Sequence, residues 1–496
     1  MCQHSNVVKM LSKEKLLETL SAITAPDRVS IDSAELYCYS YDASVHMCKP
    51  DAVVWPENTE EISRIVKFAN EDRIPVIPRG AATGDMGGAL AIQGGIIVDL
   101  TRMSKIKEVR IEDLQVTVEP GVVFAQLNQE LSKYGFFFPP DPGSGDACTI
   151  GGMVACNASG LHAVKYGVTR DYVLSLEVVL ADGRIIRTGP KVLKTATGYD
   201  LTRLFVGSEG TLGIITEITL RIRPLPRHFA TAVATFDDLV KAGKAVSRIM
   251  ESGIVPAALE IMDKLRIQAV NRVMNLALPE AEGTLLIEVD GHPDAINEEI
   301  NLISKICREE GAVSVVCSDD PKEREKLWAG RKAAYAALIR LYKPQIRPVQ
   351  ALGNDIVVPI SKVPSMLKSI QDISRKHEIL IATMGHIGDG NLHPTVMIDV
   401  TRKEDWEKAK AVATEIYRTA IELGGSIAGE HAIGITRAPF IELEHADLIE
   451  LWKRIKQAFD PNNIMNPGKI GLDTIPKDPL IFLAYAKYFE GKNKVA

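Results

Sequence analysis

The chain has 496 residues, 46% of them hydrophobic and 25% charged, with 58 basic against 64 acidic side chains and a net charge of −6. These fractions exclude a disordered or fibrous protein, the length predicts about three domains, and the lack of excess positive charge argues against nucleic acid as a partner. The longest apolar runs, LEVVLADG (176–183) and LLIEVDG (285–291), fall well short of the roughly 18 residues of a bilayer span.

The N-terminal MCQHSNVVKMLSKEKLLETL carries lysines inside its apolar pattern, which predicts an amphipathic helix of a cytosolic protein rather than a signal peptide. Residues 59–73 place Ile62, Ile65, Val66 and Ala69 at helical spacing. The short strand IPVIP and the small-residue run RGAATGDMGGA follow. VTVEPG (116–121) reads as a strand and turn, and VVFAQLNQELSKYG as an amphipathic helix ended by Gly135. SLEVVLADGRIIRTG predicts a hairpin turning at Asp182-Gly183, and EITLRIRPLP (217–226) alternates as a half-buried strand. The Pro-rich RPLPRH (223–228) marks a boundary. Beyond it, strands at ATAVATF, GTLLIEVDGH and AVSVVCSDD alternate with longer helices, as in a separate α+β domain. The last fifty residues read as mainly helical, with a turn at 459–471. The expected division is an N-terminal helical segment (1–46), a first domain (47–226), a second (227–445) and a C-terminal helical segment (446–496).

Three small-residue segments stand out. The first, Arg79-Gly80-Ala81-Ala82-Thr83-Gly84-Asp85-Met86-Gly87-Gly88, directly follows a strand, so its backbone can approach a ligand and its N–H groups can form an anion nest. A pyrophosphate is the natural occupant; a mobile surface turn is the competing reading. The second runs from Pro139 through Pro142, Ser144, Thr149 and Gly152 to Asn157 and Gly160, and the third from Val206 to Thr216. Neither G-x-G-x-x-G nor G-x-x-x-x-G-K-[ST] occurs, which excludes the common dinucleotide and P-loop motifs. Cys2, Cys38, Cys48, Cys148, Cys156, Cys307 and Cys317 show no C-x-x-C pair and no cluster spacing, so reduced thiols are expected.

Together the three segments resemble the FAD-binding domain of the vanillyl-alcohol oxidase superfamily. The resemblance implies an α+β fold in which a two-part FAD domain precedes an α+β substrate domain and a C-terminal helical segment returns to the FAD domain. It puts Arg79, Gly80, Ala81, Ala82, Thr83, Gly84, Gly87 and Gly88 at the phosphates, and Pro142, Ser144, Thr149, Gly152, Asn157 and Ile215 along the rest of the cofactor. The family usually has Gly where Ala82 stands, and the added methyl disfavours a left-handed backbone there.

Further on, Met384-Gly-His386-Ile-Gly-Asp389-Gly-Asn391-Leu-His393-Pro follows a strand, HEILIATMG, and Gly429-Glu430-His431-Ala432-Ile433-Gly434 lies some way downstream. Histidines and acids on glycine-rich loops suit a divalent metal, with a hydrogen-bonded catalytic cluster as the alternative. GHIGDGNLHP, GEHAIG and the terminal NPGK resemble the C-terminal half of the D-lactate dehydrogenase, glycolate oxidase and D-2-hydroxyglutarate dehydrogenase family. That resemblance implies His386, His393 and Glu430 as ligands of Zn (or Fe or Mn) and His431 as the catalytic base. It also puts Asn391 and Asn466 near flavin and substrate, and Arg331 on the substrate carboxylate. Ala432 stands where the family usually has Gly. QALGNDIVVP (350–359) lacks the lysine that the hydroxyglutarate branch carries, which favours D-lactate or glycolate over a longer dicarboxylate. The implied reaction is FAD-dependent oxidation of a small 2-hydroxy acid. Electrons then pass to an electron-transferring flavoprotein, an iron–sulfur subunit or a quinone. The alternatives are a D-2-hydroxyglutarate dehydrogenase, an electron-relay subunit retaining FAD, and a metal-dependent hydrolase. The expected location is the cytoplasm. DPLIFLAYAKYFEG (478–491) reads as a packed helix, with peripheral contact at the membrane's inner face or with a partner subunit as the other option.

Overall fold

The computed structural model describes residues 12–341, 347–349 and 354–473. The first eleven residues of the predicted N-terminal helix and the 478–491 segment lie outside that range; the helix itself is formed over Lys13–Ile23. The first sheet orders its strands Val29–Ser30, Ala52–Val54, Ile96–Asp99, Val76–Arg79, the last three parallel. The helix Thr59–Asp72 makes the crossover from Ala52–Val54 to Val76–Arg79, the two strands that flank Ile96–Asp99 in parallel, and is capped by Asn58 and stopped at a left-handed Arg73. Its Ile62, Ile65, Val66 and Ala69 are fully buried in the core beneath the sheet. At about 1.5–3 kcal/mol for each large aliphatic side chain, that burial outweighs any intrinsic helix propensity.

The second sheet is antiparallel, ordered Ile106–Arg110, Gln115–Val118, Ile214–Arg221, Val173–Val179, Ile185–Arg187. Its last pair is the predicted hairpin, with Gly183 at φ +82 in the turn. The strand expected to be half-buried is instead central and covered on both faces. Ile218 and Leu220 meet the apolar core, while Glu217 on the other face is closed over by Lys107 at 2.6 Å and Arg187 at 2.8 Å. Burial opposes that charge, but the two cations outweigh it and push the carboxyl down to about 2. Alternation reports which face is polar, and ion pairs can cover a polar face as fully as apolar side chains do.

At His228 the chain enters a third, antiparallel sheet ordered Ser314–Ser318, His228–Phe236, Gly283–Gly291, Ala258–Asp263, Ile381–Gly385, Asn391–Ile398, Arg347–Val349. Helices Leu239–Glu251, Pro293–Glu309, Val363–Lys376 and Lys403–Glu422 share one core with Leu259, Ile261, Leu285, Ile287, Leu392 and Val396. Successive strand residues face opposite ways, so Glu260, Met262, Met384 and His393 fall on the other face. The register Met262↔Met384↔His393 lines them up across three strands. Helices Lys264–Met274 and Pro321–Leu341 cover part of that face. The C-terminal helix Ile449–Phe459 packs its Phe459 edge-on against Phe205, and the chain beyond it bonds to Val76 of the first sheet.

Candidate functional site

A cavity of ≈ 570 Å³ lies between the first two sheets and the polar face of the third. Arg79, Gly80, Ala81, Ala82, Thr83, Gly84 and Gly88 line one part of it, with Pro142, Ser144, Thr149, Gly152 and Ile215 alongside. Among the described residues the backbone N–H groups of Gly80 through Gly84 donate no hydrogen bond, so a row of free donors is available to an anion. A Cβ on Gly84 or Gly143 would meet nothing within 4 Å, which marks where the space for a bound group begins. Ala82 is left-handed at φ +53, against expectation. Its neighbours impose that backbone, since its carbonyl and that of Gly84 both accept from the Ala43 amide. Arg79 contributes backbone more than charge: its Nη2 donates to the Tyr41 carbonyl at 2.7 Å and its guanidinium lies over the Tyr39 ring.

Four predicted positions do not line the cavity. Gly87 turns at φ +77 against Ile435. Asn157 is the left-handed end of helix Ile150–Cys156, and its Oδ1 accepts from the Arg170 amide. Asn466 donates from Nδ2 to the carbonyls of Gly88 and Glu209, and Asn391 donates from Nδ2 to Asp355 and the Ile356 carbonyl. Small polar residues beside glycines serve turns and caps as readily as ligands.

At the far end of the cavity stand Arg331, His386, His393, Glu430 and His431, brought together from two strands, a helix and a loop. The Nε2 atoms of His386, His393 and His431 converge on one oxygen, Glu430 Oε1, at 3.0, 3.4 and 3.5 Å. Ser159 donates to the other oxygen at 2.7 Å. Ligand atoms of Asp355, His393, Glu430 and His431 lie within 4.8 Å of one another. Asp355 is already engaged, however: it accepts from the amides of Gly429, Glu430 and His431 and pairs with Arg437 at 3.1 Å. It braces the loop, and His386, with Nε2 3.0 Å from Glu430, could take its place in a donor set. The His386 Nδ1 sits 2.6 Å from Glu260, the outer carboxylate partner that would leave Nε2 free to ligate a bound cation.

The charges also fit a cation. Burial opposes ionisation of Glu430, yet His386 outweighs it and holds the carboxyl well below its usual range. Burial likewise opposes a charged His386, but Glu260 and Glu430 on either side draw it well above the usual imidazole range. Two carboxylates flanking this ring demand positive charge there, which a divalent ion would supply. His431 is drawn upward too, with Asp85 and Asp355 overcoming burial, and its Nδ1 lies 3.1 Å from Asp85.

Sequence reasoning missed Glu260, Asp85, Asp355 and Glu209. Glu260 had a signal, a lone carboxylate in the otherwise apolar start of ALEIMD. Asp85 sits inside the glycine run itself. Glu209 accepts from the amides of Ile433 and Gly434, tying the third small-residue segment to the loop that carries His431.

The cavity thus has a row of free backbone donors at one end and histidines and acids at the other, in a fold that solved structures share. p-Cresol methylhydroxylase superposes with a TM-score of 0.77 at 19% identity, covering 94% of this chain and 98% of that one. 4-Ethylphenol oxidase from Gulosibacter chungangensis gives 0.75 at 20%, covering 92% and 96%. Family models match residues 50–189 as "FAD binding domain" and residues 225–470 as "FAD linked oxidases, C-terminal domain". The glycolate oxidase subunit GlcD of Bacillus subtilis is 42% identical over 93% of this chain and 97% of its own length. The probable mitochondrial D-lactate dehydrogenase of Danio rerio is 37% identical over 93% of each. The chain belongs to this FAD-linked oxidase and dehydrogenase family. No helix among the described residues is long and apolar enough to cross a membrane.

Proposed function

We propose that the protein oxidises a small D-2-hydroxy acid, D-lactate or glycolate, to the 2-oxo acid and passes the electrons to an external acceptor. The observation carrying this reading is the convergence of three imidazole Nε2 atoms on Glu430, with Arg331 on the same cavity wall and the glycine loop along it. Arg331 binds the substrate carboxylate through charge-assisted N–H donation. His431 accepts the hydroxyl proton at Nε2, a role typically contributing about 10²–10⁴-fold, and Asp85 holds its ring by the other nitrogen. Bound FAD supplies the two-electron acceptor, and a divalent metal held by His386, His393 and Glu430 supplies a Lewis acid for the substrate hydroxyl. Asn391 acts through Asp355 rather than on substrate.

Relatives named for glycolate and D-lactate support a short substrate. A longer 2-hydroxy dicarboxylate is the second reading, because Lys332 lines the cavity beside Arg331 and offers a further cation. The test is anaerobic bleaching of the yellow flavin by D-lactate, L-lactate, glycolate and D-2-hydroxyglutarate, with His431→Ala as the control. Bleaching by D-lactate or glycolate, slowed at least about a hundredfold in His431→Ala while the flavin is retained, is the expected result. Failure of all four to bleach the wild type overturns it.

A further inference from the structure

We propose that Glu260 is a positioning residue that, through one carboxylate, sets both the ligating face of His386 and the anion-binding edge of Arg331. This deepens the hydroxy-acid reading and rests on it. Glu260 lies on the strand Ala258–Asp263, all of whose residues are buried, and is itself 0% exposed. An unpaired carboxylate there would cost several kcal/mol, and both of its oxygens are met. Oε1 lies 2.6 Å from His386 Nδ1. Oε2 lies 2.7 Å from Arg331 Nε and 2.6 Å from its Nη2. Neither partner has an equivalent support. Among the described residues Arg331 otherwise reaches only Met384 Sδ, at 3.5 Å, and His386 otherwise faces Glu430.

Two consequences follow from this sharing. With a cation bound at Glu430, the carboxylate would keep the His386 proton at Nδ1 and leave Nε2 as the ligating atom, facing the point where the other imidazoles converge. Arg331 meets the cavity with its charge already balanced and its Nε bonded to Glu260, while Nη2 is close to the same oxygen but makes no hydrogen bond. Its Nη1, held only by a weak thioether acceptor, is left to bind a substrate carboxylate. Metal site and anion site are thus fixed relative to each other by one side chain, as a substrate joining a hydroxyl to an adjacent carboxylate requires.

Glutamine has nearly the same shape but cannot serve both partners, because its amide has one acceptor and one donor end. With the oxygen towards Arg331, the NH₂ faces His386 Nδ1 and forces the tautomer that points N–H at the metal position. With the oxygen towards His386, the NH₂ is set against the guanidinium. The experiment compares FAD-bound wild type with Glu260→Gln. Each is stripped of metal and titrated with Zn²⁺ against a chromophoric chelator, and KM and kcat are then measured with the best substrate. Zn²⁺ affinity should fall about 10–100-fold, as for loss of a histidine's outer partner, and KM should rise, with flavin content unchanged. A merely structural role would lower thermal stability and flavin content but leave Zn²⁺ affinity and KM alone, and that result overturns the proposal, as does a wild type that binds no Zn²⁺. Should Glu260→Gln not fold, Glu260→Asp withdraws the same charge by one methylene and answers the same titration. If no hydroxy acid bleaches the wild-type flavin, the substrate reading falls while the Zn²⁺ titration still decides the role of Glu260.

Discussion

The two ends of the cavity are built by opposite means. The glycine end works by leaving side chains out, with unpaired amides at Gly80 to Gly84 and open space in front of Gly84 and Gly143. The histidine end works by putting charges in and balancing them: Glu260 with Arg331 and His386, Asp355 with Arg437, Glu430 with the imidazoles. The first loses function when an atom is added. The second is sensitive to removal, because a deleted partner leaves a buried charge uncompensated.

Asp355→Ala tests that contrast with the largest expected effect. Arg437 is 0% exposed and would lose its ion pair, while the amides of Gly429, Glu430 and His431 lose their acceptor. A loss of about 3–5 kcal/mol is expected on breaking such a buried pair, read by chemical denaturation of the holoprotein. A change within the roughly 0.5 kcal/mol of an ordinary surface substitution would break the comparison.

His162 sharpens the contrast, because it spans the two halves. Its Nδ1 lies 2.7 Å from Asp141 and its Nε2 3.5 Å from Glu288 of the third sheet, which Arg324 also pairs. Burial opposes its charge, but the two carboxylates push its pKa up to about 10. A raised folded-state pKa gives stability fully present below the unfolded value of about 6.5 and lost as pH rises through the folded one. The stability gap between wild type and His162→Gln should therefore be widest at about pH 6.5 and below, shrink through neutral pH and close towards pH 10. A gap independent of pH would show that His162 contributes packing alone.

The smallest effect belongs to Ala82 and Ala432, left-handed at φ +53 and +66, one at each end of the cavity. Replacing either by glycine relieves strain on the order of 1 kcal/mol, partly offset by glycine's freedom in the unfolded chain. A small rise in thermal midpoint is expected for each variant, with flavin content unchanged. A fall at Ala82 alone would mean that its methyl packs against the cofactor.

How much was legible follows from what kind of signal each part leaves. The three small-residue segments and the motifs carrying His386, His393, Glu430 and His431 are local strings, and the structure brings all three segments and all four residues to one cavity. The alternation that sends Leu259 and Ile261 one way and Glu260 and Met262 the other is equally local. Gly87, Asn157, Asn391 and Asn466 are not among the cavity-lining residues, and a cap or a turn uses the same residue types as a ligand contact.

By itself the sequence determined the ingredients of this protein: a flavin-type anion loop, a set of imidazoles and acids, and the faces on which strands carry them. Which acid answers which base was decided only in three dimensions. Glu260 meets His386 across 126 residues and Arg331 across 71, and Asp85 of the glycine loop meets His431 of a distant one. Charge compensation depends on distance in space and on the exclusion of water, and neither exists until the sheets have closed on one another.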